Sequence, residues 1–257
     1  MAVRPTLLVL QYDGGAYAGW QRQPATRTIQ GEIEAVVARL LGRRVPVVGA
    51  GRTDAGVHAV GQAAAVQFPE RWSCAEAVRA MNALLPPDIW VVAARRMAPG
   101  FNPRRDAVER TYCYRVGTDR GARSPFRGRH EWAVGPLAEG RLATAAAALP
   151  GTHSFVALSA KGPDLARHRC RVLEAQWLRR EDAPGYEFWI TGDRFLRHMV
   201  RFLVGLMVEI ARGRRPEGDL GRLLAAADNG EASPPAPPHG LTLVGVRYPR
   251  HLYARAS

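Results

Sequence analysis

The stretch TIQGEIEAVVARLLG, residues 28–42, can bury its apolar residues only as a helix, because Ile29, Ile33, Val36, Val37, Leu40 and Leu41 recur at helical spacing. Thr28 stands where a cap belongs and Gly42 where a helix stops. On both sides the period changes. TLLVLQYDG (6–14) is a buried strand running into a turn, and VPVVGAG (45–51) and HAVGQAAAVQF (58–68) are strands flanking a glycine-rich turn. A second capped helix, SCAEAVRAMNALL (73–85), is stopped by Pro86 and Pro87, and IWVVAARRM (89–97) is a strand. The resulting order, β-α-β-β-α-β, is the split arrangement of a ferredoxin-like domain.

The same order returns without any repeated sequence. RTYCYRVGT (110–118) is a strand, AEGRLATAAAALPG (138–151) an alanine-rich helix, and CRVLEAQWLRR (170–180) with GYEFWITGD (185–193) a hairpin across EDAP. LRHMVRFLVGLMVEIARG (196–213) is a strong helix, on which Leu196, Met199, Val200, Leu203, Val204 and Met207 form the core stripe while Arg197 and Arg201 lie one turn apart on another face. LTLVGVRY (241–248) is the last strand, preceded by a proline-rich connector, SPPAPPHG (233–240). The expectation is an α+β chain of two ferredoxin-like (βαββαβ) halves, residues 1–105 and 106–257, with antiparallel sheets meeting at a central basic cleft.

Charge says what such a chain binds. Lysine and arginine number 36 against 23 acids, a formal net charge of +13, and all but Lys161 are arginine. Guanidinium groups present planar forks of donors suited to phosphate, so nucleic acid or an anionic surface is the expected partner. Residues 118–130, TDRGARSPFRGRH, carry Arg120, Arg123, Arg127 and Arg129 among glycines and read as a mobile phosphate-contacting segment, or as a solvated loop. Cys74, Cys113 and Cys170 form no CxxC pair, so neither a disulfide framework nor a zinc site is favoured and a reducing compartment fits. The opening MAVRPTLLVLQYDGG has too short an apolar run for a signal peptide, and the longest apolar region, 195–211, is broken by Arg197, His198 and Arg201. The expected location is cytoplasmic, with no membrane contact.

Within the glycine-rich turn, GAGRTDAGVHAVGQ (49–62), Asp54 is the single acid. The segment is not a Walker loop, lacking the lysine and hydroxyl residue, and its glycines miss the dinucleotide spacing. Three readings remain: a tight turn with local side-chain hydrogen bonds, a metal site from Asp54, His58 and Asp13, or a reactive carboxylate. Arg52 favours the last, since a neighbouring guanidinium favours the charged carboxylate, which is a poor general acid and a good nucleophile or base. The glycines would let a bulky group approach the backbone.

GRTDAGVHAVGQ (51–62) resembles the catalytic segment of the tRNA pseudouridine synthase I family. So do YDGGAYAGWQRQ (12–23), TIQGEIE (28–34), NALLPPDIWV (82–91), RTYCY (110–114), FLRHMVRFLVG (195–205) and PAPPHGLTLVGV (235–246) resemble the family's other motifs, in the family's order. The resemblance implies isomerisation of uridine to pseudouridine at nucleotides 38 to 40 of the tRNA anticodon stem-loop. It implies Asp54 as catalytic nucleophile, Arg52 placing the carboxylate and target nucleotide, Tyr112 contacting the flipped uracil, and Arg201 reaching back to pair with Asp54. It further implies tRNA as partner and a homodimer gripping it. The isomerisation neither oxidises nor hydrolyses anything, so it requires no metal or other cofactor. Three positions depart from the family pattern: Asn102 in FNPR, Ser154 in GTHSF, and Cys170 after Arg169. Two other classes compete, a non-catalytic RNA chaperone and a metal-dependent nuclease using Asp13, Asp54 and His58.

Overall fold

The computed structural model describes residues 3–160, 168–226, 228 and 230–254 of the chain; Lys161 lies outside them. The fold is α+β with mostly antiparallel pairing, and it divides into two compact units. The first comprises residues up to Val108 together with those from Leu243 onward, and the second spans Glu109–Thr242.

In the first unit, strand β1 (Val3–Tyr12) is central, and its consecutive buried residues Thr6, Leu7 and Leu8 show both faces covered. Helix α1 (Ile29–Leu41) starts and stops as its sequence requires: the Thr28 side chain accepts from the Gly31 N–H, and Gly42 takes a left-handed φ of 66°. The strand expected at 45–51 shrinks to β2 (Val48–Gly49). The loss of its start is explained by α1, whose side chains take the backbone groups a ladder would use. Gln30 Nε2 donates to the Val47 carbonyl at 2.9 Å, and Glu34 Oε1 accepts from the Val47 N–H at 3.2 Å. Strand β3 (His58–Pro69) pairs antiparallel with β1 and receives β2 through Val48 opposite Ala65. Helix α2 (Cys74–Asn82) opens on a capping box between Ser73 and Glu76, and β4 (Ile89–Arg96) lies antiparallel on the other side of β1.

In the second unit, β5 (Glu109–Gly117) carries the two-residue β6 (Trp132–Ala133) in parallel. Helix α3 (Glu139–Ala147) is followed by β7 (Gly151–Ser154), β8 (Arg169–Arg179) and β9 (Gly185–Gly192), which pair in the antiparallel order β5-β9-β8-β7. Helix α4 (Met199–Ala211) is buried almost all round and packs on α3; α5 (Asp219–Leu224) follows. The expected start of α4 at 196 is wrong. His198 takes a left-handed φ of 62°, which ends the helical run there, so Leu196 and Arg197 precede the helix and Arg197 shares no helical face with Arg201. Segment 118–130 is also tied more firmly than a mobile loop. Asp119 caps a short 3-10 turn at Arg120–Arg123, and Arg127 pairs with Asp119 at 3.0 Å and with Glu131 at 2.7 Å, so its charge is used internally.

The last strand, β10 (Leu241–Arg247), runs into the first unit, where it lies beside β3 and completes the order β4-β1-β3-β10. All three cysteines are free thiols, and among the described residues no helix is long and apolar enough to cross a membrane.

Candidate active site

Asp54 sits in the turn entering β3, and the turn is built from backbone held on three sides. The Ala50 N–H donates to the Ala63 carbonyl at 2.8 Å, and the Val57 N–H closes on the Asp54 carbonyl at 3.2 Å. Between them Thr53 is buried. Its carbonyl accepts the Trp20 N–H at 3.0 Å, and its hydroxyl shares a 2.8 Å hydrogen bond with the Tyr12 phenol. Gln62 Nε2 then donates to the Tyr12 oxygen at 3.3 Å and to the Gly51 carbonyl at 3.1 Å. Buried polar groups joined in this way leave the backbone one low-energy arrangement. Asp54, half-buried, is thus carried on a fixed support, with the exposed Arg52 two residues before it.

Two glycines of this segment, Gly49 and Gly61, face protein rather than open space. A methyl group on Gly49 would come within 2.6 Å of the Trp20 indole, and one on Gly61 within 2.1 Å of the Val244 carbonyl. The close approach they permit at these two positions is therefore that of Trp20 and of β10. Asp13 and His58 are engaged nearby: Asp13 Oδ1 accepts from the Gly15 N–H at 2.8 Å and lies 3.2 Å from His58 Nδ1, which accepts from the Gly14 N–H at 3.1 Å. These contacts join the end of β1 to the start of β3, a structural use of both side chains.

In the second unit Tyr112, on β5, is half-buried with its ring edge-on to Phe195 at 5.1 Å. Two residues further along the same strand, Tyr114 helps to hold the stretch that reads in sequence as a proline-rich connector. Tyr114 donates to the Pro237 carbonyl at 2.8 Å, Arg201 Nε donates to the Ala236 carbonyl at 2.7 Å, and the Ala236 N–H returns a 2.9 Å bond to the Arg201 carbonyl. His239 in this stretch is held below the ordinary imidazole range by its burial, with the Arg201 guanidinium pushing the same way against a hydrogen bond to the Glu131 backbone. The neutral imidazole is therefore favoured, a feature that the PAPPHG composition alone did not disclose. Asn102, one of the three departures from the family pattern, serves the local backbone. Its Oδ1 accepts from the Arg104 and Arg105 N–H groups at 3.0 and 3.1 Å.

The sequence profile of the family described as tRNA pseudouridine synthase matches residues 8–100 and 145–249. The chain belongs to the tRNA pseudouridine synthase family. It is similar to the tRNA pseudouridine synthase A of Myxococcus xanthus, with 42% identity over 242 residues that cover 94% of this chain and 91% of the relative. The tRNA pseudouridine synthase A of Moorella thermoacetica is 39% identical over 249 residues, covering 94% and 98%, and that of Solibacter usitatus 38% over 252 residues, covering 96% and 100%. As a tRNA pseudouridine synthase the chain is an isomerase. Arg52, Asp54 and Arg201 fall within the stretches matched to the family profile, while Tyr112 falls in the interval between them.

Proposed function

We propose that this pseudouridine synthase acts on uridines 38 to 40 of the tRNA anticodon stem-loop, with Asp54 as the catalytic nucleophile. The target nucleotide is flipped from its stack, the C1′–N1 bond breaks, the uracil turns, C1′ joins C5, the C5 proton leaves and N1 takes up a proton. Atoms and electrons balance within the substrate, so the reaction draws on no oxidant, reductant or water. Asp54 attacks the flipped nucleotide and departs again when the new C1′–C5 linkage is in place, while Arg52 orients the nucleotide, Tyr112 holds the released uracil and Arg201 binds the substrate. The hydrogen-bonded support of Asp54, through Thr53, Tyr12 and Gln62, is the observation that carries this reading, because a nucleophile is effective in proportion to how well it is held. The net charge of +13 supports RNA as the substrate. We read the two units as ferredoxin-like halves, since in the first β1 lies between β3 and β4 with α1 and α2 as the crossovers, and in the second β5 lies beside β9 with α3 before the β8–β9 hairpin and α4 after it. A homodimer working in the cytoplasm is part of the same reading.

Carbodiimide mapping of pseudouridine tests it. An unmodified tRNA transcript bearing uridines at 38, 39 and 40 is incubated with the protein, and primer extension should stop at those nucleotides. Stops confined to other positions would overturn the site assignment, and no stops anywhere would overturn the reaction.

A further inference from the structure

Phe126 is 92% exposed, far more than the next large apolar side chains, Trp90 at 54% and Val60 at 48%. Single exposed hydrophobic residues are common, and by itself this one would mean little. Its support is what distinguishes it. The turn beneath it is closed by the Ser124 N–H to the Gly121 carbonyl at 3.0 Å, the Gly128 N–H to the Ser124 carbonyl at 2.7 Å, and the His130 N–H to the Arg127 carbonyl at 2.9 Å. Arg127 ties Asp119 to Glu131, and Glu131, only 2% exposed, is also gripped by the buried Arg180. Ala122 is fully buried, so the base of the turn is part of the core. Pro125 fixes the backbone immediately before the ring. A fold that invests buried ion pairs in a turn and leaves its phenyl ring in water is presenting that ring to something.

The surroundings say what. Arg120, Arg123 and Arg129 are exposed along the same turn. A second copy of this chain seated symmetrically on the ring would bring identical arginines face to face, an unfavourable juxtaposition. An RNA strand suits both features, with phosphates for the guanidinium groups and an unpaired base for the ring. We propose that Phe126 is an RNA-stacking residue, held on a pre-organised basic turn and stacking on an unpaired base of the tRNA. This rests on tRNA being the substrate, and it assigns to residues 119–131 a recognition role separate from the catalytic carboxylate.

The test compares wild type, Phe126→Ala and Phe126→Trp for binding an unmodified tRNA transcript and, separately, long-chain inorganic polyphosphate, which offers charge without bases. Phe126→Ala should weaken tRNA binding about tenfold, Phe126→Trp should restore it, and polyphosphate binding should be the same in all three. The slope of log affinity against log salt should not change in Phe126→Ala, because no phosphate contact is lost. Unchanged tRNA affinity in Phe126→Ala would overturn the proposal. So would an equal loss toward polyphosphate, and so would weakened self-association in sedimentation with tRNA affinity intact, which would assign the ring to a second copy. A wild-type protein that binds tRNA in a Phe126-dependent way yet forms no pseudouridine would overturn the proposed function instead.

Discussion

The hydrogen bond between Tyr12 and Thr53 should matter out of proportion to its distance from substrate. Its atoms are 2.8 Å apart, both residues are buried, and Thr53 directly precedes Asp54. Tyr12→Phe removes the phenol oxygen and leaves the Thr53 hydroxyl and one Gln62 contact short of a partner, at a cost of about 1–3 kcal/mol. Thr53→Val is nearly isosteric and leaves the Tyr12 oxygen still accepting from Gln62 at 3.3 Å, so its cost belongs at the low end, about 1 kcal/mol. The double variant removes both ends of the bond and should be more stable than the sum of the single losses implies, by ~1 kcal/mol. Activity should fall further than stability does, since a displacement of Asp54 by about 1 Å costs about a hundredfold in rate. Urea unfolding gives the stabilities, and single-turnover release of tritium from uridine C5 gives the rate. Strictly additive stabilities together with wild-type release rates in both single variants would refute the idea that this bond positions the proposed nucleophile.

Other consequences are as direct. Gly19 has φ of +94°, and a methyl group there would lie 2.7 Å from the Thr53 carbonyl and 3.0 Å from the Asp54 carbonyl carbon. Gly19→Ala should therefore destabilise the protein by about 1–3 kcal/mol from backbone strain alone and depress C5 tritium release; a variant with wild-type stability and activity would contradict the close packing. Burial alone would raise the Asp219 carboxyl, but hydrogen bonds from Arg222 and Arg215 hold it below the ordinary carboxylate range. Its contribution is therefore complete above the unfolded value, near ~4, and is lost as pH falls through the folded value, so stability should drop less between neutral and acid pH in Asp219→Asn than in wild type. Burial pushes the Cys113 thiol up to about 12, so at mildly alkaline pH a disulfide reagent should modify the half-buried Cys74 first and reach Cys113 only on unfolding.

Where local chemistry decides structure, the sequence was legible. Helix α1 begins after Thr28 and ends before Gly42, as the cap and stop residues require, and α2 follows its Ser73 capping box. Tertiary partners decided the rest. The strand at 45–51 lost its start to Gln30 and Glu34, whose reach over the Val47 backbone has no local signature. The apolar spacing of Leu196 continues smoothly into α4, so nothing in the pattern marks the left-handed turn at His198. The same holds for the site. Asp54 stood out because a lone acid among glycines beside Arg52 is conspicuous, but Tyr12 and Gln62, which support it, are ordinary residues in two strands. Arg127 could not be told from its neighbours until Asp119 and Glu131 were seen to hold it. Likewise SPPAPPHG reads only as a stiff connector until Tyr114 and Arg201 are found on its carbonyls.

Replacing Asp54 by Asn tests the central claim most directly, since it keeps the shape of the side chain and removes its charge and nucleophilicity. With a tRNA transcript tritiated at uridine C5, the variant should bind RNA as wild type does and release no tritium above background. Release at the wild-type rate would contradict the account, because the isomerisation would then be carried by some other group.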